Sequence, residues 1–118
     1  MSTNTRIAAN KTLQILNTIR AQEQDMPLGQ AVSIMLIALG ETSDGGGLSG
    51  TELEKQGQFS RASAGRYANA LATVDRKGDP GLDLVSYARK PTDDRTKVLR
   101  LTKKGQLLMS QIAAILEK

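Results

Sequence analysis

The stretch from Leu84 to Gly105, LVSYARKPTDDRTKVLRLTKKG, constrains the fold more than any other part of the chain. Apolar and polar residues alternate from Leu84 to Lys90 and again from Thr96 to Thr102, which predicts two short strands. Pro91, Thr92, Asp93, Asp94 and Arg95 between them form a charged tip, and Thr102 is placed to cap a helix that follows at once. Positive charge is concentrated here. Residues 84–106 hold seven Lys and Arg (Arg89, Lys90, Arg95, Lys97, Arg100, Lys103, Lys104) against two acids (Asp93, Asp94), a balance of +5, whereas the whole chain carries +4. A basic hairpin of this kind suits a polyanion, because each Lys or Arg set against a phosphate releases condensed counterions.

The remaining composition narrows the chemistry. A chain of 118 residues has room for one domain, 1–118, that folds without covalent staples. Without Cys it forms no disulfide and no thiolate site, and without His it lacks the commonest general base and metal ligand. No cofactor or metal is expected, and an enzyme is the least expected class. The N-terminal MSTNTRIAANK has no apolar core behind a basic start, and the longest apolar run, Ile34 to Leu39, is far short of the roughly 20 residues a bilayer-spanning helix needs. The expected location is therefore the cytoplasm, and a pI of 9.6 favours nucleic acid over membrane.

Five helices are expected around the hairpin. Residues 4–22 carry two adjacent stripes, Ala9, Leu13 and Leu16 beside Ala8, Ile15 and Ile19. A second helix starts at Asp25 and Pro27 and ends near Gly40; Ala31 to Leu39 is apolar almost all round, as in a helix enclosed by others. Glu41 to Gly47, ETSDGGG, reads as a flexible loop, and no Gly-Lys-Ser/Thr follows to make it a phosphate cradle. Ser49 to Gln56 forms a short helix with Leu48 and Leu53 inward. Gly57, Gln58 and Phe59 turn the chain, and Ser60 caps a helix running to about Lys77. Two helices joined by so short a turn have helix-turn-helix geometry.

On the second of these, Ala64, Tyr67, Ala68, Leu71 and Val74 cluster inward, while Ala62, Gly65, Arg66, Asn69 and Thr73 face outward, with Arg61 and Ser63 on the flanks. A small, polar outward face can approach base edges closely, Arg forking to guanine and Asn pairing with adenine. Gly78 to Asp83, GDPGLD, supplies the stop before the first strand. The last helix, from 103, presents Leu108, Ile112 and Ile115 with Met109 and Leu116 alongside.

These residues resemble the multiple-antibiotic-resistance regulator (MarR) family. The likeness runs through Leu84-Val85, Asp93-x-Arg95 and Val98-Leu99-Arg100-Leu101-Thr102-x-Lys104-Gly105 in the hairpin. It includes Met26-Pro27-x-x-Gln30 before the apolar helix and Ser60-x-Ala62-Ser63-x-x-Arg66 followed by Leu71, and covers residues 26 to about 110. The resemblance implies a winged helix-turn-helix, mainly α with a two- or three-stranded antiparallel sheet, in a bacterial or phage transcriptional regulator, usually a homodimer. It further implies a recognition helix in the major groove and Arg95 in the minor groove, with Asp93 orienting it. The long link at 78–83 and the short overall length look like phage and prophage members.

The sequence reading then divides the chain into terminal helices at 1–23 and 103–118, available for dimer contacts through Leu13, Leu16, Ile19, Leu108, Ile112 and Ile115, and a helix-turn-helix plus wing at 48–102. Double-stranded DNA is the expected partner. Ser60, Arg61, Ala62, Ser63, Gly65, Arg66 and Asn69 would meet it from the recognition helix, Arg89, Lys90, Asp93, Arg95 and Lys97 from the wing, and Lys103 and Lys104 through phosphates. One Phe, two Tyr and no Trp give little material to line an effector pocket or to stack single-stranded bases. The alternative is a winged-helix module that binds a host transcription or replication protein.

Overall fold

A computed structural model describes residues 1–74, 78–90 and 93–118, with backbone alone for 93–95. The order is α1 (Thr3–Arg20), α2 (Leu28–Gly40), α3 (Gly50–Gly57), α4 (Arg61–Leu71), β1 (Val85–Lys90), β2 (Asp93–Leu101) and α5 (Lys103–Leu116). β1 and β2 pair antiparallel, and a single bridge from Leu48 to Leu99 adds a vestigial third strand. Among the described residues no helix is long and apolar enough to cross a membrane.

Side-chain caps start four of the five helices. Ser2, Ser49, Ser60 and Thr102 each accept from the backbone N–H three residues on, satisfying a donor that the first turn leaves open. At α3 the cap is reciprocal, since the Ser49 N–H donates to Glu52 Oε1 at 3.0 Å. That bond holds the Glu52 carboxyl below the ordinary glutamate range, with smaller help from the Ser49 hydroxyl and the nearby Lys90 and Lys55 charges. A lowered folded-state value means this stabilisation is present above the unfolded pKa and is lost as pH falls through the folded one. Urea midpoints should therefore drop more on acidification in the wild type than in Glu52→Gln; parallel curves would remove Glu52 from the acid response.

The core lies where α2, α3 and α4 meet the base of the hairpin, with Ile34, Ile37, Leu53, Leu71, Leu84, Val85 and Leu99 fully buried. α1 packs instead along α5, running antiparallel to it: Lys11 Nζ donates to the Leu116 and Lys118 carbonyls at 3.3 and 2.7 Å. Residues 1–10 are all exposed. The molecule is consequently elongated, 51 × 30 × 26 Å, with a radius of gyration of 15.1 Å. A compact chain of this length has about 13.5 Å.

Four expectations are corrected. α4 ends at Leu71 and not near Lys77, so Thr73 and Val74 are off the helix and Val74 is 53% exposed. The cause is competition from the returning chain: the N–H groups of Leu82, Leu84, Asp83 and Gly81 donate to the Ala70, Leu71, Ala72 and Thr73 carbonyls, taking acceptors that a longer helix would use. Residues 75–77 lie outside the described residues. α2 is not enclosed, because α1 is drawn onto α5; Leu28, Val32 and Leu39 are 72%, 39% and 83% exposed along one stripe.

The Glu41 to Gly47 loop is tied down at both ends. Arg100 Nη1 donates to the Thr42 and Gly46 carbonyls, Glu41 Oε1 accepts from the Leu101 N–H, and Thr42 Oγ1 donates to Asp44 Oδ1. Asp44 is held below the usual carboxylate range, first by that Thr42 hydroxyl and then by the Gly46 N–H. Finally, β2 begins at Asp93, so Asp93, Asp94 and Arg95 have strand backbone where the sequence reading placed the tip. Pro91 and Thr92 lie outside the described residues.

Candidate nucleic-acid interface

Cross-strand register decides which wing side chains act together. Arg89 pairs with Lys97, Tyr87 with Leu99 and Val85 with Leu101, so by strand alternation these six share one face of the ribbon. The same face closes a cleft of about 540 Å³, in which Tyr87 lies across from Arg61, Gly65 and Ala68 of α4 and from Thr51 and Glu54 of α3. Tyr87 and the flank of α4 thus line one concavity, and Arg89 and Lys97 lie further along the same face of the ribbon. Past a register shift between Arg89 and Lys90, Lys90 takes the other side and lines a second cleft with Glu52 and the Thr42–Gly47 loop.

On α4 the inward set is Ala64, Ala68 and Leu71, all buried, with Tyr67 half-buried. Arg61, Ala62 and Arg66 are exposed; Ser63, Gly65 and Asn69 are partly exposed. Small residues at 62 and 65 flank Arg66 and Asn69 on this face. Ser60 accepts from the Ser63 N–H at 3.1 Å, and Ser63 Oγ accepts from Arg66 Nη2 at 3.4 Å, so both hydroxyls have local partners.

Not every cation of the basic stretch faces outward for a ligand. Arg100 is committed to the 41–47 loop, and Lys104 Nζ donates to the Leu82 carbonyl at 2.9 Å. Lys97 and Lys103 are exposed. Asp93 and Arg95 have described backbone, but their side chains lie outside the described residues. Sequence reasoning missed Tyr87, Thr51 and Glu54 at the cleft. Alternation along the first strand was the signal that could have found Tyr87, since it puts Tyr87 on the face of Arg89.

Of the six residues expected at a dimer contact, Ile19, Leu108, Ile112 and Ile115 are 6%, 2%, 6% and 9% exposed and are covered inside the chain. They seal α1 against α5, the nearest apolar face available to either helix. Leu13 and Leu16 are 56% and 48% exposed, and Ile7, Leu107 and Leu116 join them at the surface. Among the described residues no group of His, Cys, Asp and Glu could hold a metal ion.

A helix-turn-helix followed by a two-stranded hairpin and a long closing helix is the winged helix-turn-helix architecture. Its fold is that of the MarR-family regulators. The S. aureus MepR–DNA complex matches with a TM-score of 0.67 at 17% identity, over 98% of this chain and 84% of that one. MarR itself matches at 0.58 and 13%, over 98% and 77%. Bordetella bronchiseptica BpsR matches at 0.54 and 16%, over 96% and 73%. No family model and no curated protein matches the sequence.

Proposed function

We propose that the chain is a sequence-specific binder of double-stranded DNA that regulates transcription as a homodimer. The observation that supports it most is a juxtaposition: Tyr87 of the wing lines one cleft with Arg61 and Gly65 of α4, and Arg89 and Lys97 lie in register on the same face of the ribbon as Tyr87. A duplex seated there takes α4 in its major groove and the wing beside it. Arg66 and Asn69 then reach base edges past Ala62 and Gly65, with Ser60, Arg61 and Ser63 at the rim of the groove. Arg89, Lys97 and Lys103 meet phosphates, whereas Lys104 is held by the Leu82 carbonyl and Lys90 lies on the other side of the ribbon. Arg95 enters the minor groove, oriented by Asp93, because Arg suits a narrow electronegative groove. MepR is seen bound to DNA in the same fold.

A small-molecule effector is not part of this proposal. BpsR has its DNA binding regulated by 6-hydroxynicotinic acid. In this chain the apolar groove between α1 and α2, lined by Leu16, Ile19, Met26 and Leu28, encloses 180 Å³. Ligand pockets usually offer roughly 300 Å³ or more.

The test is selection of bound fragments from random duplex DNA, followed by titration of the selected site. Arg66→Ala is expected to cost about 1–3 kcal/mol on that site and to relax the preference at one base pair. Lys97→Ala or Lys103→Ala should weaken all duplexes alike and lower the salt slope by about 0.9. Equal losses on selected and random DNA for Arg66→Ala would count against base reading by α4. No duplex binding at low salt, with nuclease-resistant capture of a host protein, would move the chain to the protein-interaction class.

A further inference from the structure

Phe59 and Tyr67 are two of the three aromatic residues in the chain, and their rings meet edge to face, with centroids 5.1 Å apart and planes at 72°. Each ring occupies ground that a glycine leaves open. A β-carbon on Gly57, at the end of α3, would collide with the Phe59 ring. A β-carbon on Gly29, in the first turn of α2, would stand 2.6 Å from the edge and hydroxyl of Tyr67. The Tyr67 ring is therefore held between the first turn of α2 and the Phe59 ring of the turn.

On that ring rests the Arg66 guanidinium, its central carbon 5.3 Å from the Tyr67 centroid. This is inside the roughly 6 Å over which a cation is drawn to an aromatic face. We infer that Tyr67 is a positioning residue for Arg66, restricting its guanidinium to few orientations before DNA arrives; the inference rests on the DNA-binding reading above. An arginine that already occupies few rotamers loses less freedom when its fork closes on a base. Tyr67 is half-buried, so its part is played through Arg66 and not by touching DNA.

The test is a double-substitution cycle on the selected site and on the same site with the base pair read by Arg66 replaced. Tyr67→Leu should weaken selected-site binding about two- to fivefold, the range of an exposed cation–aromatic contact. It should also narrow discrimination between the two sites and leave the salt slope unchanged. Tyr67→Phe, which keeps the ring, should bind as the wild type does. In an Arg66→Ala background Tyr67→Leu should change nothing further, and an equal loss there overturns the inference by making Tyr67 merely structural. A base preference that survives Arg66→Ala unchanged sinks the reading of Arg66 itself, a separate result. Should Tyr67→Leu fail to fold, the Arg66 δ-proton shifts decide in the free wild type and Tyr67→Phe: upfield displacement by the ring supports positioning, and random-coil values overturn it.

Discussion

Replacing Gly105 with alanine is expected to lower the unfolding free energy by about 3 kcal/mol, the upper end of what one excess methyl costs a packed site. The melting temperature should fall by about 10 °C with it. Gly105 is buried in the first turn of α5, and a β-carbon there would lie well inside the van der Waals contact distance of the Leu84 carbonyl oxygen. That oxygen cannot move away freely. It accepts from the Thr102 N–H at 3.1 Å, while the Leu84 N–H donates to the Leu71 carbonyl at 2.9 Å.

Thr102 Oγ1 donates to the Asp83 carbonyl at 2.6 Å and accepts from the Gly105 N–H at 3.1 Å. The end of α4, the entry to β1 and the start of α5 are thus knotted at backbone level, and a methyl at 105 pushes on all three. Gly50→Ala is the control. Nothing lies within 4 Å of its added carbon, so that substitution should be neutral or stabilising by up to about 1 kcal/mol through the unfolded chain. Thermal and urea unfolding of the two variants side by side would check this. Equal stabilities would show that the α5 junction relaxes without cost.

The same knot marks the limit of what local pattern reveals. Helical periodicity carries Val74 onto the inward face of α4, and nothing within residues 60–77 opposes it. What ends the helix is a set of donors eight to thirteen residues from their acceptors, at Gly81, Leu82, Asp83 and Leu84, reaching the Ala70 to Thr73 carbonyls. The ETSDGGG loop is another such case. Its composition reads as slack, yet Arg100, which is more than fifty residues distant in sequence, fastens it to β2. Caps, by contrast, are local chemistry, and Ser60 and Thr102 were legible as written.

The candidate site divides along the same line. Helix geometry alone places Ala62, Arg66 and Asn69 outward. It cannot tell which wing cations share their side of the molecule, since that depends on strand register, and register separates Lys90 from Arg89 and Lys97. Nor can it tell a cation aimed at a ligand from one that braces the fold, as Arg100 and Lys104 do. A count of charge over 84–106 therefore locates the basic surface without resolving its members.

Substituting Leu13 and Leu16 together by glutamate is expected to split the proposed homodimer and to lower affinity for a two-fold DNA site by about a hundredfold or more. Two linked half-site contacts gain 10²–10⁴ over one, and the monomer forfeits that gain. Affinity for a single half-site should stay as it was. The two stripes of α1 explain why these positions and not their neighbours are chosen. Ile15 and Ile19 turn toward α5, and Ile19 is 6% exposed, so a charge there would unfold the pair and report nothing about assembly.

Leu13 and Leu16, on the adjoining stripe, are 56% and 48% exposed and continue toward Ile7, in the stretch 1–10 where every residue is exposed. A solitary helix of this length is marginal in water, and burial of its apolar side supplies most of the stability such helices have. A second copy of the chain offers the matching stripe under two-fold symmetry. Sedimentation equilibrium at micromolar protein should give a dimer for the wild type and a monomer for the double variant. A variant that stays dimeric would move the interface off α1. A wild type that is already monomeric while binding a two-fold site tightly would remove the homodimer from the proposal and leave each α4 to read its half-site alone.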